Sequence, residues 1–374
     1  MNLLKLIEQT AAWLFLCLVE TAMAQPTQAQ AARPNIVLIV VDDAAFMDFG
    51  AYGGEAHTPT IDRLAREGAM FLNYHTSPLC SPSRAMLLTG VDNHRTGHAT
   101  IEEVLPPELR GRPGYTLRLE PGVLTIADRL KAAGYRTLMA GKWQLGRGEG
   151  DLPDQHGFDR SLALDASGDD NYAQRPYMPY YDRAPWFQDG EPTRLPARFY
   201  SSDLLVDRLI AYIDEQPPAA APYFAYLAFQ AVHIPVQAPR EYSDNYAGRF
   251  AAGWEALRTQ RWIRARELRF IPDDAPLAQL PSSMRRWNDL RPEERRTFAR
   301  SMEVYSGMLE AMDQAMGRLA DRVDDRGETQ RTIFVITSDN VLHTDASPKN
   351  RQKVSSRHLA AAGSTSSIAE GLPR

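Results

Sequence analysis

Asn35-Ile36-Val37-Leu38-Ile39-Val40-Val41-Asp42-Asp43 is apolar without interruption from Ile36 to Val41 and closes on two carboxylates. There is no polar alternation, so the run predicts a strand buried on both faces, as in a parallel sheet with helices above and below. Two adjacent carboxylates at the end of such a strand are costly to bury unless something positive sits between them. A solvated turn is the plain alternative for that pair.

The same pattern recurs down the chain. Tyr135 to Ala140 predicts a second strand and delivers Gly141-Lys142-Trp143-Gln144 at its end. Tyr223 to Phe229 predicts a third, running into Ala231-Val232-His233-Ile234-Pro235, and Thr332 to Thr337 a fourth, ending in Ser338-Asp339-Asn340. Helices are predicted over Pro59 to Glu67, closed by Gly68, over Thr125 to Ala133 with Gly134 as C-cap, and over Ser202 to Glu215. Pro292 to about Val323 carries Phe298, Met302, Tyr305, Met308, Met312 and Met316 at helical spacing, a stripe better suited to core than to a cofactor. Strands alternating with helices predict an α/β fold, a mostly parallel central sheet with helices on both faces. Residues 150–200, rich in Pro, Tyr and Asp, read as long surface loops. Their aromatics Tyr172, Tyr177, Tyr180, Tyr181 and Trp186 pack those loops or line a substrate rim. Residues 236–290 read as irregular and charged.

In parallel sheets ligands bind beyond the carboxyl ends of the strands. Asp42, Asp43, Lys142, His233, Asp339 and Asn340 all fall there, so residues far apart in sequence converge on one rim. Asp42, Asp43, Asp339 and Asn340 offer only oxygen, which suits Ca2+ or Mg2+ and argues against zinc. Arg84, Lys142 and His233 add positive or proton-handling groups. A divalent cation with Arg and Lys beside it suits a sulfate or phosphate oxyanion, and His233 could protonate a leaving oxygen.

One stretch joins this rim to a helix. In Ser77-Pro78-Leu79-Cys80-Ser81-Pro82-Ser83-Arg84, Ser81 is a good N-cap, Pro82 a good first helical residue, and Gly90 a good terminator. Cys80 would then face the positive end of a helix, with Arg84 one turn on.

Bulk properties set the context. The 374-residue chain has a net charge of -5, and its basic residues are scattered, which argues against a nucleic-acid partner. Residues 1–24 read as a signal peptide, with Ala11 to Val19 too short to span a bilayer and Ala22-Met23-Ala24 as cleavage site. The expectation is a periplasmic or secreted protein without a stable membrane anchor. Residues 25–33 read as a disordered lead-in. Of the two cysteines Cys17 would leave with the signal, so Cys80 remains as a lone thiol in an oxidising compartment. Chemical modification would explain it.

Cys80-Ser81-Pro82-Ser83-Arg84 followed by Leu87-Leu88-Thr89-Gly90 resembles the C-x-P-x-R signature of the sulfatase family. Asp42-Asp43, Gly134-Tyr135-Arg136-Thr137 through Gly141-Lys142-Trp143, His156-Gly157-Phe158-Asp159, His233-x-Pro235 and Ser338-Asp339-Asn340 are similar to further family motifs. Phe199 to Asp203 and Gly111 to Tyr115 look most like bacterial arylsulfatases. The resemblance implies an alkaline-phosphatase-like fold and hydrolysis of sulfate monoesters. It implies that a maturation enzyme oxidises Cys80 to formylglycine, whose hydrate attacks sulfur and later expels the sulfate. It also implies Ca2+ held by Asp42, Asp43, Asp339 and Asn340 with residue 80, Arg84 steadying the nucleophile, and Lys142 and His233 binding the sulfate of a small substrate.

The chain departs from the family twice. The family has Gly-Lys-Trp-His where Gln144 stands here, and glutamine cannot take a proton. This predicts reduced turnover, with Gln144 in the catalytic set nonetheless. After Asn340 the family continues with glycine and a C-terminal subdomain, whereas residues 341–374 read as an unrelated, disordered tail. The expectation is an incomplete sulfatase-like domain over 34–340, a sheet with an open edge, and marginal stability. The alternatives to a sulfatase are a phosphonate or phosphate monoester hydrolase of the same superfamily, and an inactive fragment that only binds metal or ligand.

Overall fold

Seven strands form one sheet in a computed structural model that describes residues 33–176, 182–218 and 220–341. They are β1 (Asn35–Val41), β2 (Arg136–Lys142), β3 (Arg160–Leu164), β4 (Trp186–Gln188), β5 (Glu191–Pro192), β6 (Tyr223–Ala228) and β7 (Thr332–Ser338). Their order is β5-β4-β3-β2-β6-β1-β7. From β3 to β7 every pairing is parallel, and β4 and β5 add an antiparallel hairpin at one margin. The four strands expected from sequence are therefore adjacent, and the mixed, mostly parallel sheet is as expected.

The principal helices are α1 (Pro59–Glu67), α2 (Cys80–Thr89), α3 (Ile126–Ala132), α4 (Ser201–Asp214), α5 (Gly253–Glu267) and α6 (Pro292–Asp325). Side chains alternate across β1. Val37, Ile39 and Val41 pack with α1, α4 and α6, while Leu38 and Val40 pack with α2 and α3 on the opposite face. Burial on both faces is why these strands read as unbroken apolar runs. The methionine stripe is core, with Met308, Met312 and Met316 buried under the sheet. Phe298, at the start of the same stripe, stays exposed and packs edge-on against Trp254.

The structure corrects three readings. Strands β3, β4 and β5 lie inside the stretch expected to be loops, being five, three and two residues long among prolines and aspartates. Residues 236–290 contain α5, whose arginines hide any apolar stripe; Arg261 pairs with Asp48 and Glu55 and fastens this helix to the body. Helix α2 begins at Cys80 rather than after it, and Ser81 is not its cap, because its hydroxyl donates to the Gln144 carbonyl at 2.9 Å. Gly90 does close α2, in the left-handed region, donating to the Met86 carbonyl.

Residues 1–32, 177–181 and 342–374 lie outside the described residues, and with them the expected signal, most of the lead-in and tail, and Tyr177, Tyr180 and Tyr181. Of the remaining aromatics, Tyr172 packs on Tyr200 and Trp186 is buried, donating to Asp169 at 2.7 Å, so both fasten loops. Among the described residues no helix is long and apolar enough to cross a membrane.

Candidate active site

Three strand ends and one helix start meet at the rim. β1 runs into Asp42 and Asp43, β2 ends on Lys142, β7 runs into Asp339 and Asn340, and α2 starts at Cys80. Ligand atoms of Asp42, Cys80 and Asp339 lie within 4.8 Å of one another, all buried. The segment after β6 joins them: Asp42 N–H donates to the Ala231 carbonyl and Val232 N–H to the Asp42 carbonyl, both at 2.8 Å. His233 is thereby brought to Asp43, its Nε2 3.7 Å from Oδ2. Gly141 is needed for the approach of β2. A Cβ there would sit 1.8 Å from the Ala228 carbonyl oxygen, and its φ is +121°.

Arg84 is fully buried and bridges two strand ends. Its Nη2 lies 2.7 Å from Asp339 Oδ2 and 3.3 Å from Asp42 Oδ1, and its Nη1 donates to the Lys142 carbonyl at 3.1 Å. Lys142 Nζ donates to Asp42 Oδ2 at 2.6 Å. The backbone amides of Asp43 and Asn340 both donate to Asp339 Oδ1. Every site residue named from the sequence is therefore in this cluster or on its border. The cations are already engaged by carboxylates rather than waiting for an anion alone.

Three carboxylates face two cations, and the acidities of Asp43 and Asp339 record the imbalance. Burial, reinforced by Asp42, pushes Asp43 up to about 7, and the same two causes raise Asp339. Burial works against charge on Arg84 and Lys142, but Asp339 and Asp42 outweigh it on Arg84, and Asp42 does so on Lys142, so both stay charged. Burial and then Lys142 hold His233 down to about 3. Its Nδ1 sits 2.6 Å from the Ile234 carbonyl, which assigns the proton to Nδ1 and leaves Nε2 an acceptor. As arranged, His233 is not the ready proton donor that the sequence suggested. Burial above all, with the neighbouring carboxylates, pushes the Cys80 thiol well above its usual range. A thiol so placed is a poor thiolate nucleophile.

A hard cation fits this set. Asn340 Nδ2 donates to Asp43 Oδ1, which leaves Asn340 Oδ1 buried without a donor, and Asp42 Oδ1 accepts no hydrogen bond. The orphaned Asn340 oxygen, and an Asp42 oxygen met only by the ion-pair contact with Arg84, lie beside crowded carboxylates, which a divalent oxygen-seeking ion would satisfy. The sulfur of Cys80 is the one soft atom in the group, and an oxygen at that position would suit such an ion better.

Next to the cluster is a cavity of about 250 Å3, with Ser81, His98, Glu103, Gln144, Asp165 and Ser167 in its wall. Gln144 has φ of +56° and donates through Nε2 to Ser167 Oγ at 2.8 Å. Sequence reading did not single out His98, Glu103, Asp165 or Ser167. They sit on segments without periodicity, and only their distance from any apolar run could have flagged them.

Fold and site together describe an α/β protein whose strand ends carry a buried, carboxylate-rich cluster that could hold a metal ion, flanked by a buried arginine and lysine. The chain belongs to the sulfatase family: that family's model matches residues 34–363, a span reaching into the segment read from the sequence as an unrelated tail. It is similar to an arylsulfatase of Klebsiella aerogenes, 36% identical over 319 residues that make up 83% of this chain and 67% of that one. It is also 36% identical over 329 residues to an uncharacterized sulfatase of Schizosaccharomyces pombe, covering 85% of this chain and 59% of the relative. The chain thus spans about 59% to 67% of the length of these two relatives. The crystal structure of Ps i-CgsB aligns with a TM-score of 0.59 at 25% identity, covering 82% of this chain and 58% of that one.

Proposed function

We propose that this chain hydrolyses sulfate monoesters of small substrates to an alcohol or phenol and sulfate, in the manner of an arylsulfatase. The observation that carries the reading is the convergence of Asp42, Asp43, Asp339, Asn340, Arg84, Lys142 and His233 around the buried start of α2 at Cys80. Asp42, Asp43, Asp339 and Asn340 would hold a hard cation, Ca2+ in preference to Mg2+ because the ligand set is carboxylate-rich and irregular. Formylglycine made from Cys80 would supply an oxygen nucleophile, and the cation would hold its negative charge. Arg84 fixes Asp42 and Asp339 relative to each other and keeps positive charge beneath the anion. Lys142, charged and buried, faces the sulfate oxygens from the β2 end. His233, neutral at Nε2, orients or accepts a proton on the substrate side.

Cys80 is only 6% exposed, so a formylglycine-generating partner would act on the chain before it closes around this residue. The signal-like N-terminus favours a periplasmic or secreted site of action. The test is hydrolysis of a chromogenic aryl sulfate after co-expression with a formylglycine-generating enzyme, in Ca2+, beside Cys80→Ala. Turnover should fall by about 10³-fold or more in the variant. If Cys80 is converted by mass and no sulfate is released, the proposal fails. A higher kcat/KM on phosphonate than on sulfate esters would reassign the chain to its phosphonate-cleaving relatives.

A further inference from the structure

Gln144 is held by a chain of hydrogen bonds whose direction can be worked out. Its Nε2 donates to Ser167 Oγ at 2.8 Å, and the Ser167 hydroxyl in turn donates to Glu103 Oε1. A carboxylate oxygen only accepts, and a serine hydroxyl has one hydrogen to give. Ser167 must therefore spend its proton on Glu103 and accept from the amide, so Gln144 has to present nitrogen, not oxygen, to Ser167. Its Oε1 is left as the free end of the side chain, buried, in the wall of the cavity and without a donor. The backbone supports the same placement. Gln144 is held at φ +56°, and its carbonyl accepts from Ser81, the neighbour of Cys80. A buried acceptor without a partner is unfavourable on its own account, so its retention points to a donor that arrives with the ligand.

We propose that Glu103 and Ser167 are positioning residues that lock the Gln144 amide as a hydrogen-bond acceptor for an O–H group entering the cavity. The inference rests on the sulfatase reading for what enters, but its geometry does not. Gln144 then replaces a titratable ring by a group of fixed polarity. Glu103, two loops away, sets that polarity through Ser167.

The test uses the full chain, converted at residue 80 and loaded with Ca2+. Glu103→Gln keeps the shape but makes acceptance optional, because an amide can also donate to Ser167 and so release the Gln144 amide from its fixed orientation, and Ser167→Ala removes the anchor. Each should lower kcat on a chromogenic aryl sulfate by about tenfold with KM changed less than about twofold, the scale of one lost hydrogen bond. Ser167→Thr should recover most of the loss. In a Gln144→Ala background neither change should have a further effect. Independently of turnover, the side-chain amide resonances of Gln144, assigned by their loss in Gln144→Ala, should move in both Glu103→Gln and Ser167→Ala. Unmoved resonances, or equal losses in both backgrounds, would overturn the proposal. Moved resonances in a chain that cleaves no sulfate would uphold the positioning and count against the hydrolase reading alone.

Discussion

The two margins of the sheet are finished differently. On one side the antiparallel β4–β5 hairpin closes the row, with Trp186 buried beneath it and tied to Asp169. On the other, β7 pairs with β1 over all seven residues, and among the described residues no strand lies beyond it. Ile333 and Val335 are 49% and 42% exposed there, and Phe71, on the segment leading to α2, is 73% exposed. The site straddles this contrast. Asp42 and Lys142 hang from strands flanked on both sides, whereas among the described residues Asp339 and Asn340 hang from a strand flanked on one. The outer half is held by the seven-residue pairing of β7 with β1 and, across the rim, by Arg84, which joins Asp339 to Asp42.

Breaking that bridge should have the largest effect. Arg84→Met leaves Asp42 and Asp339 buried without their shared cation and should destabilise the chain by about 3–5 kcal/mol in urea unfolding. In hydrogen exchange the β7 amides should lose more protection than those of β6. Equal loss across the sheet would show that β7 does not depend on Arg84.

The cavity wall makes a separate prediction in acid. Burial holds His98 down to about 4 from its ordinary 6.5. Between those values the unfolded chain binds a proton that the folded chain refuses, so stability rises with pH across the window and is lost on acidification. The full effect is up to about 3 kcal/mol. His98→Gln should flatten this part of the profile of melting temperature against pH. An unchanged slope would mean that His98 is hydrated after all.

The smallest effect belongs to the open margin. Ile333→Glu with Val335→Lys should alter stability by only about 0.5 kcal/mol per site, since both residues are about half exposed already. The same change should reduce concentration-dependent association in sedimentation, because charged edge strands resist pairing with another chain. A large loss of stability would show that the margin is covered.

The legible part of this molecule was whatever is buried on two faces or fixed by a strand end. The runs 36–41 and 223–228, buried on both faces, announce parallel strands, as does 332–338 although Ile333 and Val335 are half exposed, and the residues after each fall at the rim because the topology leaves them no other place. The strands β3 to β5 were hidden because they are too short to show a period. Helix α5 was hidden because arginines occupy the positions that an apolar stripe would fill. Ser81 has the composition of a cap, but its hydroxyl is used across the fold by Gln144, a contact no local rule contains. The chemistry of the site was legible by residue type. Its pairing was not, since Arg84 meets Asp339 across a sequence separation of 255 positions.

The contact between Asp43 N–H and Asp339 Oδ1 joins points 296 residues apart. On the ribosome, β1 emerges early and must wait with one edge open until nearly all the described chain has been made. Among the described strands β7 is the last to arrive, and it completes the rim through contacts of this long range, which are slow to form. The candidate site would therefore be completed only once β7 has docked, and a pause in translation before β7 would leave Asp42 and Arg84 without Asp339.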